Sequence, residues 1–176
     1  MELIGSQTEN NLRSAISGEA QAALLYYFFE KKARRDGFEE LGNIFHEISE
    51  NEKAHAKIYY DLLNCIATSE KNLISSAESE LHEHSKMYPQ FAKIANDEGF
   101  SNIAKTFEMV AKIEKEHEER FRLWHGLLAN NAVFSKGMET EWICQNCGHR
   151  QKGSDAPDIC PTCHHPKAFF KVLNNS

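Results

Sequence analysis

Two residue pairs carry the most chemistry in this sequence: Glu52-x-x-His55 and Glu114-x-x-His117. Residues three apart on a helix share a face, so each pair aims one carboxylate and one imidazole the same way. Apolar residues flank both pairs, where an unpaired charge is costly and a bound cation offsets that cost. Two such helices, with one glutamate from each of two more, form the donor set of a di-metal carboxylate bundle. Glu19, within GEAQA, and Glu80 and Glu83, again three apart, supply the other glutamates. Carboxylate oxygens with imidazole nitrogens suit iron or manganese and also accept zinc. One Glu-x-x-His on a charged helix is ordinarily a solvated face; two at equivalent places in a repeat call for a ligand.

A second constellation is Cys144-x2-Cys147-x12-Cys160-x2-Cys163. Four thiolates at this spacing hold one tetrahedral ion, zinc in a structural ribbon or iron in a one-electron carrier. Spacing alone leaves both open. Gly148, Pro161 and Trp142 fit the iron-binding rubredoxin pattern, and a neighbouring di-iron bundle, which needs an electron source, favours iron. Cys65 stands apart in IYYDLLNCIA and is expected to be an inert thiol in a helix core. His46, His82, His84, His125 and His149 are expected at surface or packing positions.

The elements that must position these groups follow from the hydrophobic period. Apolar residues at three- and four-residue steps predict helices over 6–35, 38–66, 73–97 and 101–130. Gly37 and Gly99 are expected to end helices, Thr8 and Ser101 to cap them, and Pro89 to disturb the third. The helical region repeats itself at an offset of 62: Tyr26 and Tyr88, Phe29 and Phe91, Phe45 and Phe107, Glu52 and Glu114, His55 and His117. The register slips once, since Glu19 to Tyr26 is seven residues and Glu80 to Tyr88 is eight. One extra helical residue is what a π-turn absorbs, so a π-turn is expected between Glu80 and Tyr88. The domains expected are 1–132 for the helical part, 133–140 for a linker and 141–176 for the cysteine part, which is too small to fold without a metal.

The 176 residues carry a net charge of −6 and no basic stripe, which argues against a nucleic-acid partner. The longest apolar run, from Ala22 to Phe29, is too short to span a bilayer. The first residues lack the basic and apolar regions of a signal peptide, so a cytoplasmic location is expected.

Over nearly its whole length the chain resembles the rubrerythrin family. The matching segments are GEAQA, ENEKAHAK, ESELHEHSKMYP, EKEHEERF, WICQNCG and CPTCHHPK. The resemblance implies a mainly α protein: a ferritin-like four-helix bundle followed by a small metal-bound rubredoxin-like domain. It implies two non-haem iron ions held by Glu19, Glu52, Glu80, Glu83, Glu114 and His117. His55 would be a redox-dependent ligand, one iron moving between the positions of Glu83 and His55. Tyr26 and Tyr88 would hydrogen-bond the ligating carboxylates. A third iron would sit on Cys144, Cys147, Cys160 and Cys163. The implied activity is reduction of hydrogen peroxide to water, with electrons from NAD(P)H through separate reductases or a redox donor protein. His149 departs from the aromatic residue usual in rubredoxins, and His164-His165 from the usual glycine.

The cysteine domain follows helix four and is remote from the bundle's middle, so it is expected to serve a partner subunit, which makes a homodimer the functional unit. The link between helices two and three adds to this. It must recover about 27 Å of rise if one chain builds the bundle, whereas six residues reach about 20 Å. A dimer with swapped helical hairpins is therefore expected. Competing readings are a ferroxidase or iron-handling protein, for which a tetracysteine domain is superfluous, and a structural protein with a zinc ribbon.

Overall fold

The computed structural model describes residues 2–173; the ends of the domains expected at 1–132 and 141–176, residue 1 and residues 174–176, lie outside them. The elements in order are helix α1 (Gln7–Arg35), α2 (Glu39–Leu62), α3 (Ser69–His82), a π-turn (Glu83–Met87), α4 (Tyr88–Asp97) and α5 (Ser101–Ala129). Strands β1 (Ser135–Cys144), β2 (Arg150–Asp155) and β3 (Phe170–Val172) follow. No helix among the described residues is long and apolar enough to cross a membrane. The chain divides into two compact units between Ala67 and Thr68.

In the first unit α1 and α2 form an antiparallel pair with a seam of small residues. Ala23 and Ala33 of α1, and Gly42, Ser49 and Ala56 of α2, are all buried. The seven-residue spacing of Ile16, Ala23 and Glu30, and of Gly42, Ser49 and Ala56, is that of helices crossing at a shallow angle. The Ser49 hydroxyl donates to the Ala23 carbonyl at 2.8 Å, which satisfies a buried polar group. Glu30, 5% exposed, is the one charged side chain in this seam among the described residues. It accepts from Arg34 Nε at 3.0 Å and lies 3.2 Å from His46 Nδ1. The Arg34 hydrogen bond, against the opposing effect of burial and with help from His46, holds its carboxyl below the ordinary range.

All four long helical segments end the same way. The residue after the C-cap adopts positive φ: Gly37 at 89°, Asn64 at 53°, Gly99 at 88° and Asn131 at 54°. The next amide then reaches back five residues, as Phe38 does to Ala33, Cys65 to Tyr60, Phe100 to Ala95 and Ala132 to Leu127. These are Schellman motifs. The expected stops at Gly37 and Gly99 are present. Asn64 ends α2 at Leu62, four residues before the expected boundary, and this corrects the reading of Cys65: it lies beyond the helix and is exposed. The expected caps are also displaced. Ser6, not Thr8, accepts from the Glu9 amide, Phe100 precedes Ser101 at the α5 start, and Thr68 caps α3 four residues before its expected beginning.

The π-turn lies inside the expected interval, and the Tyr88 amide bonds to the Glu83 carbonyl five residues back. Pro89 follows at the first turn of α4, where its missing N–H removes no needed donor.

The three strands form an antiparallel sheet in the order β2-β1-β3. Ser135 pairs with Asp155 and Thr140 with Gly153, so β1 begins within the segment 133–140 expected as a linker. The core of this part is Trp142, Cys144, Ala156, Cys160 and Phe170. Trp142, 1% exposed, donates its indole N–H to the Gly153 carbonyl at 3.1 Å.

Candidate metal centres

The two hairpins carry matching half-sites. In the first unit, Glu19 on α1 and Glu52 and His55 on α2 place one donor atom each within 4.8 Å of one another. In the second, Glu80 on α3 and Glu114 and His117 on α5 do the same. The distances repeat: His55 Nδ1 lies 2.8 Å from Glu52 and 4.0 Å from Glu19, and His117 Nδ1 lies 2.6 Å from Glu114 and 4.0 Å from Glu80.

The aromatic support repeats too. Tyr26 lies 6.3 Å from Phe45 and Phe29 lies 5.5 Å from Phe45, between ring centroids. Tyr88 lies 6.0 Å from Phe107 and Phe91 lies 5.6 Å from Phe107. The period of 62 seen in sequence is thus a repeat of packing as well as of ligands.

Electrostatics show what each half-site lacks. Glu19 is pushed above the ordinary carboxylate range by its hydrogen bond with Glu52, then by burial and by the Glu52 charge. Burial does the same to Glu80, followed by the charges of Glu114 and Glu83. Tyr88 is raised by burial and by Glu83, Glu114 and Glu80, so its phenol lies within electrostatic reach of three carboxylates. Packed acids of like charge hold protons until a cation replaces them. A raised folded pKa means the metal-free protein gains stability below the ordinary value of 4.5 and loses it as pH rises through the raised values. The increase in melting temperature on loading ferrous or manganous ion should therefore widen from about pH 4.5 to about pH 7. Melts of loaded and metal-free protein test this, and a gap that is flat or narrows with pH would contradict it.

Glu83 has no counterpart in the first half-site. Aligning Glu80 with Glu19 places Glu83 on Ala22. Glu83 opens the π-turn and accepts weakly from the Ser79 hydroxyl at 3.4 Å. Sequence reasoning missed a neighbouring pair: His84 Nε2 lies 2.6 Å from Glu118, which also accepts from Arg122 Nε at 2.6 Å. The His84 and Arg122 hydrogen bonds hold Glu118 below the ordinary range. Arg122 sits four residues after Glu118, a readable spacing, but nothing in sequence brings His84 to it. His84, expected at a surface or packing position, is a half-buried partner of a carboxylate.

Cys144, Cys147, Cys160 and Cys163 converge. Cys144 and Cys163 sulfurs lie 3.7 Å apart, and those of Cys147 and Cys160 lie 3.6 Å apart. A tetrahedral ion with bonds of about 2.3 Å to sulfur spaces its ligands about 3.8 Å apart, so the four sulfurs fit one ion. The two CxxC loops fold alike. Gly148 and His164 amides donate to the Cys144 and Cys160 carbonyls, and Cys144 and Cys160 amides donate to the His149 and His165 carbonyls. The His149 amide favours the Cys147 thiolate, yet the Cys163 thiol, burial and the other cysteines outweigh it and push Cys147 up to about 12. Cys163 is held at about 5, first by the His165 amide. Four thiols this close cannot all ionise without a cation, and a bound metal ion removes the conflict.

The loops differ at one backbone position. Gly148 sits at φ 77°, and the equivalent His164 at 60°. A side chain in the left-handed region costs about 1 kcal/mol. His164→Gly should therefore slow thermal loss of the metal-thiolate absorbance, and an unchanged or faster loss would refute the strain. At His149, Nδ1 pairs with the Thr162 hydroxyl at 3.1 Å, while the buried Nε2 has no hydrogen-bond partner among the described residues.

The chain is similar to known proteins over both its helical and its cysteine-bearing parts. The family model for rubrerythrin matches residues 10–124, and that for the rubrerythrin rubredoxin-like domain matches 142–171. A rubrerythrin of Nitratidesulfovibrio vulgaris is 40% identical, the match covering 97% of this chain and 96% of that one. Rubrerythrin-1 of Clostridium acetobutylicum is 37% identical over 99% of this chain and 98% of its own. A solved nigerythrin in a mixed-valence state is 29% identical, with coverage of 97% and 90% and a TM-score of 0.38. The family has a di-iron site in a ferritin-like helical domain and an iron site in a rubredoxin-like tetracysteine domain, and the carboxylate–histidine and cysteine groups described above fit both. This chain belongs to the rubrerythrin family.

Proposed function

We propose that the protein is a non-haem di-iron peroxidase that reduces hydrogen peroxide to water, with electrons relayed through its tetracysteine iron centre. The observation that carries this reading is the presence, in one chain, of two matching Glu–His–Glu half-sites and one tetrathiolate site. Glu19, Glu52, Glu80, Glu83, Glu114 and His117 would hold two iron ions, which would supply the two electrons that one O–O bond requires, and Cys144, Cys147, Cys160 and Cys163 would hold the iron that supplies single electrons to them. Balanced, one peroxide, two protons and two electrons give two waters.

The chain's own residues set the conditions for that reaction. Glu19, Glu52, Glu80, Glu114 and His117 are the fixed ligands, and Glu52 and Glu114 lie against the histidines of their own helices. Glu83 and His55 are alternative ligands. As ligands, Glu83 would bring a carboxylate and His55 an imidazole, so exchanging them would adjust the charge of the site to the oxidation state of the iron. Glu83 opens the π-turn, where a local change in hydrogen bonding costs less than in a regular helix. Tyr26 and Tyr88 pack on Phe45 and Phe107, and their phenols would orient the ligating carboxylates by hydrogen bonding. Reducing equivalents come from NAD(P)H through a separate reductase or donor protein. The setting is cytoplasmic, and the functional unit is a homodimer in which each cysteine domain serves its partner.

Sustained turnover separates this reading from iron handling. With an NADH-linked reductase and excess peroxide, the protein should consume many equivalents of peroxide while its iron content stays fixed. Stoichiometric consumption that stops, with ferric iron accumulating on added ferrous salt, would instead favour ferroxidase activity.

A further inference from the structure

We infer that His84 is a positioning residue: through Glu118 it fastens the π-turn to α5, and so holds Glu83 where it can serve as an exchangeable ligand. The inference rests on the reading of Glu83 and His55 as alternative ligands, and it adds the residue that sets the place of one of them.

The contact joins two positions that each stand one residue beyond a proposed ligand. His84 follows Glu83 on the π-turn, and Glu118 follows His117 on α5. His84 Nε2 lies 2.6 Å from the Glu118 carboxylate, to which Arg122 Nε also donates at 2.6 Å. The His84 and Glu118 side chains are 15% and 12% exposed, so water competes little for the bond. The hydroxyls of this stretch bond locally, Ser79 to the Glu83 carboxylate and Ser85 to the Leu81 carbonyl. His84 instead reaches across to a second helix.

The repeat within the chain supplies the comparison. Aligned on Glu19 and Glu80, His84 falls on Ala23; aligned on Glu52 and Glu114, Glu118 falls on Ala56. Both alanines are buried in the seam of the first hairpin. That hairpin ties its helices at the same level through the backbone, the Ser49 hydroxyl donating to the Ala23 carbonyl. The position of Ser49 is Ala111 in the second hairpin, which has no hydroxyl to donate. The hairpin that carries the π-turn and Glu83 therefore exchanges a backbone tie for a side-chain tie. A π-turn replaces four-residue hydrogen bonds by five-residue ones, here from the Tyr88 amide to the Glu83 carbonyl, so its place is set less firmly from within the helix. The bond to Glu118 sets it from outside, one residue from Glu83.

The full-length, iron-loaded protein tests this with two variants of similar bulk. His84→Leu removes the donor, and His84→Gln keeps one near the place of Nε2. In His84→Leu, amide hydrogen exchange across residues 83–88 should quicken about tenfold, the factor expected on losing one hydrogen bond to a charged group, while α1 and α2 exchange as in the wild type. His84→Gln should stay within about twofold of the wild type. A second readout separates positioning from stability. A carboxylate suits ferric iron better than an imidazole does. A misplaced Glu83 should thus change the Mössbauer quadrupole splitting of the ferric pair and leave that of the ferrous pair as it is. Glu83→Ala is the reference and should change the ferric spectrum in the same way. Where the single variants do not fold, His84→Ala with Glu118→Ala supplies the alanine pair on which the first hairpin already packs, and should show both effects in a folded chain. A wild-type ferric spectrum in His84→Leu, with that of Glu83→Ala changed, would overturn the inference and leave the ligand reading standing. Unchanged spectra in both would sink the ligand exchange and the inference with it. Exchange as fast in His84→Gln as in His84→Leu would also overturn the inference, because the hydrogen bond would then not be what holds the turn.

Discussion

Replacing Cys160 by Ala is expected to unfold residues 135–173 while the helices persist. Cys160 is 0% exposed and Cys144 1%, so two of the five residues in this domain's core are themselves metal ligands. The remaining core, Trp142, Ala156 and Phe170, is too small to offset the chain entropy of the domain. Metal binding supplies the difference: for small thiolate domains it is of order 10 kcal/mol and is, in effect, the folding free energy. The alanine variant should lose its metal-thiolate absorbance, and β1 to β3 should become protease-sensitive. The far-UV signal from α1 to α5 should change little, because their hydrogen bonds and seams are independent of the cysteines. Retained colour or retained protection of the strands would show that this domain stands on its own burial.

The second large effect is expected at the carboxylate centre. Glu114→Ala removes the carboxylate that lies 2.6 Å from His117 and bears on both Glu80 and Tyr88. Loss of a residue that merely supports a ligand costs about 10–100-fold in metal affinity. Loss of the ligand itself should cost at least about 100-fold, and peroxide turnover should fall in step. Glu52→Ala in the equivalent half-site should behave alike, because the two half-sites share donor types and distances. Neither change touches a cysteine, so the tetrathiolate absorbance should remain at wild-type intensity. Normal iron occupancy and turnover in either variant would remove that glutamate from the site.

Sequence legibility was high where one residue type has one physical use. Gly37 and Gly99 marked helix ends because glycine alone enters the left-handed region freely. The one-residue slip between Tyr26 and Tyr88 marked the π-turn, since a helix has few ways to absorb an insertion. The repeat located both Glu-x-x-His pairs, and the structure groups each with the expected glutamate of its own hairpin. Asn64 and Asn131 end helices too, but asparagine is common elsewhere, and missing Asn64 put Cys65 inside a helix it does not join. The polar stretch near Thr68 looked like loop because Ser69 to Asn72 carry little hydrophobic period, although Thr68 caps α3 and opens the helix. The networks around Glu30 and Glu118 join residues 16 and 34 positions apart. Those partners are set by how helices pack, which no local pattern encodes. Strand β1 began in the expected linker for a similar reason: Ser135 is held by its partner Asp155, 20 residues on.

The most direct test of the central claim is a rapid-mixing absorbance trace. Fully reduced, iron-loaded protein is mixed without oxygen with hydrogen peroxide, and separately with dioxygen. The account predicts that the ferric tetrathiolate colour returns quickly after peroxide and slowly after dioxygen, because electrons leave the cysteine centre only as the di-iron centre is oxidised. Equal rates with the two oxidants, or a colour that never returns, would contradict it.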